Sequence, residues 1–187
     1  MENVNSVFSQ FPKLETNRCE LLQIIEEVHS MDIFNLFKND SVTQYLEGIE
    51  TFECLEDAHS FILLFDRAYH EYKSAILWGI SLKESHQITG VICIYDLNNK
   101  QSVKLFYALL PQFRGIGLMT ECLKKVTYFI FNQMDVDRIE TVINDNNKKS
   151  QSVLLKVGYK KNSNDSMYIA TKLPSPPSPA QFYRVGK

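Results

Sequence analysis

Between Ser102 and Ile130 the chain changes its hydrophobic period within one short turn, and few folds accommodate that change. Ser102–Leu110 reads as a β-strand, ended by Pro111, which has no N–H to give to a ladder. Gln112-Phe113-Arg114-Gly115-Ile116-Gly117 follows. Then Met119, Cys122, Leu123, Val126, Phe129 and Ile130 fall at helical spacing on one apolar stripe. A strand that runs through a glycine turn into an amphipathic helix leaves the helix's first N–H groups facing outward at the positive end of its dipole. Glycine lets the backbone take φ > 0 and approach a ligand closely. The segment therefore predicts an anion site sized for a phosphate or pyrophosphate, and a tight turn with glycines for steric reasons alone is the plainer alternative. Two phosphate motifs are excluded. The turn lacks the Gly-Lys-Ser/Thr ending of a P-loop. The dinucleotide pattern would need glycine where Thr120 stands, and an antiparallel meander precedes the turn in place of a βαβ unit.

The meander is read from Ala75–Leu82, Gln87–Tyr95 and Ser102–Leu110, with turns at Lys83–His86 and Asn98–Lys100. Ahead of it, Glu20–Ile25 reads as a strand. Met31, Ile33, Phe34 and Phe37 suggest a short helix, closed by an Asn39-Asp40 turn, and Thr51–Tyr72 a longer helix with acids near its start. Behind it, Arg138–Asn144 alternates as a strand, and Lys149–Val157 is a short helix with Gly158 as its cap. Tyr168–Leu173 makes a last strand. The order predicts one mixed α/β domain around a single sheet over residues 14–173, with a flexible arm at 1–13 and a Pro-rich extended tail at 174–187.

Composition narrows the partners. With 187 residues, a net charge of −2 and 44% hydrophobic residues, the chain suits one soluble domain with no general attraction to nucleic acid or anionic lipid. Four scattered cysteines and four histidines without ligand spacing argue for a reduced, cytoplasmic chain and against a metal site. The N-terminus reads as free of a signal peptide, and no apolar run is long enough to span a bilayer.

Several pieces of the chain resemble the GNAT (GCN5-related) N-acetyltransferases. Gln112-Phe113-Arg114-Gly115-Ile116-Gly117 matches the family's Q/R-x-x-G-x-G/A signature. Asn147-Lys148-Lys149-Ser150 and Val153-Leu154-Leu155-Lys156-Val157-Gly158-Tyr159 look like its N-x-x-S…(V/L)-L-x-K-x-G-(F/Y) segment. Leu14-Glu15-Thr16-Asn17-Arg18 resembles the opening of the RimJ/RimL-like branch, and Trp78–Lys83 and Ile88–Ile92 its middle strands. The likeness runs from Leu14 to Leu173 in order.

The resemblance implies an α/β (α+β) GNAT fold: a mixed, mostly antiparallel sheet flanked by helices and splayed between the family's strands 4 and 5, here Ser102–Leu110 and Arg138–Asn144. It implies acetyl-CoA as cosubstrate, no metal, and an amine-bearing acceptor. The acceptor is a protein N-terminal α-amine, or alternatively a small amine such as a polyamine or aminoglycoside; a binding module without turnover is a further reading. Dimers are frequent among such proteins, which leaves a homodimer open.

Carried over residue by residue, the amides of Gln112 to Met119 would hold the pyrophosphate, chiefly Arg114, Gly115, Ile116, Gly117 and Leu118. Leu109 and Leu110 would hold the pantetheine, with one amide there polarising the thioester carbonyl. Asn147 would line the wedge, or be a turn residue. Ser150 would protonate the leaving thiolate, or cap the following helix. Where many members have a tyrosine acid this chain has Leu154, and Tyr159 is expected in the core. Glu140, Tyr107, Glu47 and Glu50 are the candidates for a base.

Overall fold

The computed structural model describes residues 7–97, 101–163 and 165–172. It contains eight strands and five α-helices in the order β1 (Leu14–Glu15), β2 (Cys19–Gln23), α1 (Glu26–Phe37), α2 (Asp40–Thr43), α3 (Leu55–His70), β3 (Ala75–Leu82), β4 (Ile88–Tyr95) and β5 (Ser102–Leu109), then α4 (Leu118–Gln133), β6 (Arg138–Val142), α5 (Lys148–Val157), β7 (Lys160–Lys161) and β8 (Met167–Thr171). One mixed sheet has the order β1-β2-β3-β4-β5-β6-β8-β7, and all its pairings are antiparallel except β5 with β6.

Helices cover both faces, so β3 and β4 read as nearly continuous buried runs rather than as alternating ones. On one face Trp78, Ile80, Ile92, Ile94, Leu105 and Ile139 pack with Cys122, Leu123, Val126 and Ile130 of α4 and Leu154 of α5. On the other, Leu77, Val91, Cys93 and Ala108 pack with Ile33, Leu36 and Phe37 of α1 and Phe61 and Ile62 of α3. The apolar stripe expected on α4 is the buried one, and each such side chain contributes on the order of 1.5–3 kcal/mol.

Two irregularities of the sheet shape the region around the end of β5. Thr89 is an extra residue in β4, where the register with β3 shifts between Ile80 and Ser81. Beside it, Gly90 lets β5 come close: a Cβ there would sit 2.5 Å from the carbonyl oxygen of Ala108. In addition, β5 and β6 pair only at Ser102↔Arg138, Val103↔Ile139 and Lys104↔Glu140, after which the strands part. The splayed boundary expected from the resemblance is thus present, and its short pairing is parallel.

Some expectations need correcting. Residues 7–13 are not a loose arm: Val7 is buried, Tyr69 Oη donates to its carbonyl (3.0 Å), and Trp78 Nε1 donates to Pro12 O (2.7 Å). Phe8 and Phe11 pack as tilted rings against Tyr69, so aromatic packing draws this segment in where its lack of periodicity gave no sign. Asn39 caps a separate short helix, α2, rather than closing a turn: its Oδ1 accepts from Ser41 N. Residues 174–187 and the Asn98–Lys100 turn lie outside the described residues. No helix among the described residues is long and apolar enough to cross a membrane.

Candidate active site

Beyond the β5–β6 splay the chain forms the strand–turn–helix unit anticipated from Leu109–Glu121. Pro111–Phe113 makes a 3-10 turn, Gly115 and Gly117 take φ of 82° and 84°, and Gly117 is the N-cap of α4. Glycine offers no capping side chain, and the first internal bond of α4 is Glu121 N–H to Gly117 O. The amides of Leu118, Met119 and Thr120 are therefore left without an intrahelical acceptor. These residues, with Gly115 and Gly117, line a cleft of about 920 Å³.

A residue from the start of the chain holds this turn. Arg18 donates through Nη1 to Ile116 O (3.0 Å), and its backbone N–H and Nε both donate to the Glu121 carboxylate. Burial by itself would raise the Glu121 carboxyl. Hydrogen bonds from Thr16 and Arg18 and the guanidinium charge instead hold it below the ordinary carboxylate range. Arg18 was visible as the end of the Leu14–Arg18 segment, but its partner is 103 residues away.

The strand side of the cleft presents backbone. Leu110 N–H donates across to Thr89 O (2.9 Å). Strand backbone groups alternate in direction, so Leu109 and Tyr107 turn their N–H groups the other way, into the opening left once β6 has departed. Arg114 closes the top of this wall, with Nε donating to Leu109 O (2.8 Å) and Nη2 to Ser41 O (3.2 Å).

The opposite wall is α5. Asn147 is its N-cap, and its Oδ1 accepts from Ser150 N–H (3.1 Å). Ser150 is thus the third residue of the helix and not its cap. Its carbonyl accepts from Tyr107 Oη (3.1 Å), which bridges β5 and α5 beneath the cleft. Burial pushes the Tyr107 phenol well above its ordinary pKa, the bond to Ser150 opposing only in part, and burial pushes Tyr159 up to about 12. Neither phenol is a base near neutral pH. Leu154 is fully buried in the core, as is Tyr159.

The structure sorts the anticipated residues. Tyr107, Leu109, Arg114, Gly115, Gly117, Leu118, Met119, Asn147 and Ser150 come together around the cleft, while Leu110, Gln112 and Ile116 do not line it. The amides of Leu110 and Arg114 are engaged within the protein, the latter by Pro111 O (3.1 Å). Glu140 does not line the cleft either, and its carboxylate pairs with Arg138 Nε at 2.7 Å. Glu47 and Glu50 also lie off its lining. Lining residues not singled out from the sequence include Thr120 and the α5 lysines Lys148, Lys149 and Lys156, whereas Ser41, Val42, Gln44, Tyr45 and Leu46 come from the irregular region 39–57 expected to border the acceptor side. The described lining residues include four cations and no carboxylate.

Known proteins fit this geometry. A family model described as an acetyltransferase (GNAT) domain matches residues 18–160. The chain belongs to the GNAT acetyltransferase family. Among its relatives is the uncharacterized N-acetyltransferase YoaA of Bacillus subtilis (strain 168), 35% identical over 152 residues, which are 81% of this chain and 84% of that protein. Solved structures of the same fold include RimL, a ribosomal L7/L12 alpha-N-protein acetyltransferase in complex with coenzyme A. It has a TM-score of 0.73 at 18% identity, over 86% of this chain and 98% of that one. RimJ of Mycobacterium smegmatis, in complex with a CoA disulfide, has a TM-score of 0.73 at 14% identity, over 85% and 86%. This GNAT protein is an acetyl-CoA-dependent N-acyltransferase.

Proposed function

We propose that this GNAT enzyme transfers the acetyl group of acetyl-CoA to the α-amine of a protein or peptide N-terminus. The observation that carries the reading is the lining of the cleft, with free backbone donors, four cations and no carboxylate among its described residues. A polyamine or aminoglycoside would call for converging carboxylates. The acids near α3 (Glu47, Glu50, Glu53, Glu56, Asp57) are not among its lining residues, and Asp57 is occupied by the amides of Glu53 and Cys54. With no base in the lining, the acceptor must arrive neutral. At pH 7.5 about a third of an α-amine is neutral, against about one lysine ε-amine in a thousand. The RimL neighbour, named for an α-N-protein activity, is in line with this choice.

The residues fit the cosubstrate. The amides of Gly115, Gly117, Leu118, Met119 and Thr120 would take the pyrophosphate oxygens, with the α5 lysines offsetting phosphate charge. The pantetheine would lie between Leu109 on β5 and Asn147 and Ser150 on α5. Leu109 N–H would then donate to the thioester oxygen as charge develops on it. The amine nitrogen bonds to the carbonyl carbon and the C–S bond breaks. The thiolate takes a proton from Ser150 Oγ, which is replenished by the proton the amine releases through water. Positioning supplies much of the acceleration.

The test measures thiol release with three acceptors: a peptide with a free N-terminus, the same peptide N-terminally blocked but containing lysine, and spermidine. The free N-terminus should turn over fastest. Faster turnover of spermidine would reject the reading.

A further inference from the structure

One cation of the cleft stands apart from the α5 lysines. Arg114 lies where β5, the glycine turn and α2 meet, fixed by the carbonyls of Leu109 and Ser41. A guanidinium has five N–H donors, so these two bonds leave three. Arg114 forms no ion pair among the described residues, and burial, with no carboxylate opposing it, lowers its pKa while leaving it charged. Next to it, Ser41 Oγ is buried with no hydrogen-bond partner within the protein. Both residues line the cleft. A partly buried cation with no counter-ion is costly unless something completes it.

Its position says what that is. Arg114 Nε is 2.8 Å from the carbonyl of Leu109, the residue whose amide faces the thioester in the proposed reaction. An anion seated on the guanidinium therefore lies on the order of 10 Å, about three residue lengths, from the reacting carbon. That is the reach of a side-chain carboxylate on the first or second residue of an acceptor whose α-amine is at the thioester. We infer that the acceptor peptide carries an acidic side chain beside its α-amine, and that this carboxylate seats against the Arg114 guanidinium. The inference rests on the N-terminal acceptor reading above and narrows it to acidic N-termini.

The test compares initial rates on equal-length peptides beginning Ser-Glu, Ser-Gln and Ser-Lys, each with acetyl-CoA. The wild-type protein should prefer Ser-Glu to Ser-Gln by about tenfold or more in kcat/KM, as for one charge-assisted hydrogen bond, and should use Ser-Lys least. Arg114→Gln should bring the Glu/Gln ratio close to one with the KM for acetyl-CoA unchanged, while Arg114→Lys keeps part of the preference. A role limited to bracing β5 against α2 would lower both rates alike and leave the ratio intact. Equal use of Ser-Glu and Ser-Gln overturns the inference and leaves the N-terminal reading standing. So does a rise in the acetyl-CoA KM of Arg114→Gln with all three peptides, which would assign the guanidinium to the cosubstrate. If no peptide is acetylated while acetyl-CoA still raises Tm, the acceptor reading fails and this inference with it.

Discussion

Replacing Gly115 with alanine separates the two roles a turn glycine can have. Its φ is +82°, and a Cβ built there meets no protein atom within 4 Å, so the protein itself presents no clash. The remaining intrinsic cost is the left-handed conformation, about 1–2 kcal/mol. For a chain of this length, 1 kcal/mol moves Tm by about 2–4 °C, so unliganded Gly115→Ala should melt roughly 2–8 °C below wild type. Acetyl-CoA at 100 times its Kd adds about 2.7 kcal/mol to the wild type, a rise of about 5–11 °C. If the new methyl keeps the pyrophosphate from two amides, binding weakens about a hundredfold or more. The same acetyl-CoA concentration then adds only about 0.4 kcal/mol, or roughly 1–2 °C. Differential scanning fluorimetry with and without acetyl-CoA reads both quantities on one sample. A mutant that melts lower but retains the full acetyl-CoA shift would show that Gly115 serves the turn alone. The absence of any shift in the wild type would refute the cradle.

Other residues give independent checks. Ser150→Ala should lower kcat with little loss of stability, because the cap of α5 is Asn147; Asn147→Ala should instead cost about 1 kcal/mol in urea unfolding. Tyr107→Phe removes the bond to Ser150 O and should cost about 1 kcal/mol while most of kcat remains, whereas a fall of about a hundredfold would restore the phenol as an acid–base group. His29 is buried, and its Nδ1 accepts from Ile25 N–H at the start of α1. Burial holds its pKa below the ordinary 6.5 despite the opposing charge of Asp32, so below that pH the unfolded chain binds more protons and stability falls. His29→Gln should flatten this acid limb, measured as unfolding free energy at pH 7.5 and 5.5, and equal slopes would exclude His29 as its source.

The fold was legible where local pattern and tertiary structure agree. The strand pattern of β3 and the helical stripe of α4 are strong enough that tertiary packing had nothing to override. The first strand was misplaced by a residue or two, and β1 and β7, of two residues each, are too short to leave a period. The glycine turn could be read because only backbone conformation is at stake there. The rest of the site depends on pairings across long stretches of chain: Arg18 with Glu121, Arg114 with Ser41, Tyr107 with Ser150. No local window contains both partners. Glu140 was a reasonable candidate from its strand position, but Arg138, two residues away on the same face, takes its charge. Ser150 resembled a cap because serine is common at helix starts, yet the helix begins one residue earlier and Asn147 fills that place.

The short seam between β5 and β6 also bears on the order in which the chain is assembled. Everything beyond it, β6, α5, β7 and β8, comes from one contiguous stretch at residues 138–171, joined to the rest of the sheet by three residue pairs and to α4 by α5. During synthesis β1 through α4 leave the ribosome before this leaf does, but the core beneath α4 closes only with it, since Ile139, Leu154, Tyr159, Tyr168 and Ala170 belong to that cluster. The glycine turn and the first turn of α4 are synthesised ahead of the wall carrying Asn147, Ser150 and the lysines. The cleft is therefore complete only once the late leaf has docked, and a ligand gripping both walls rivets the late leaf to the early one.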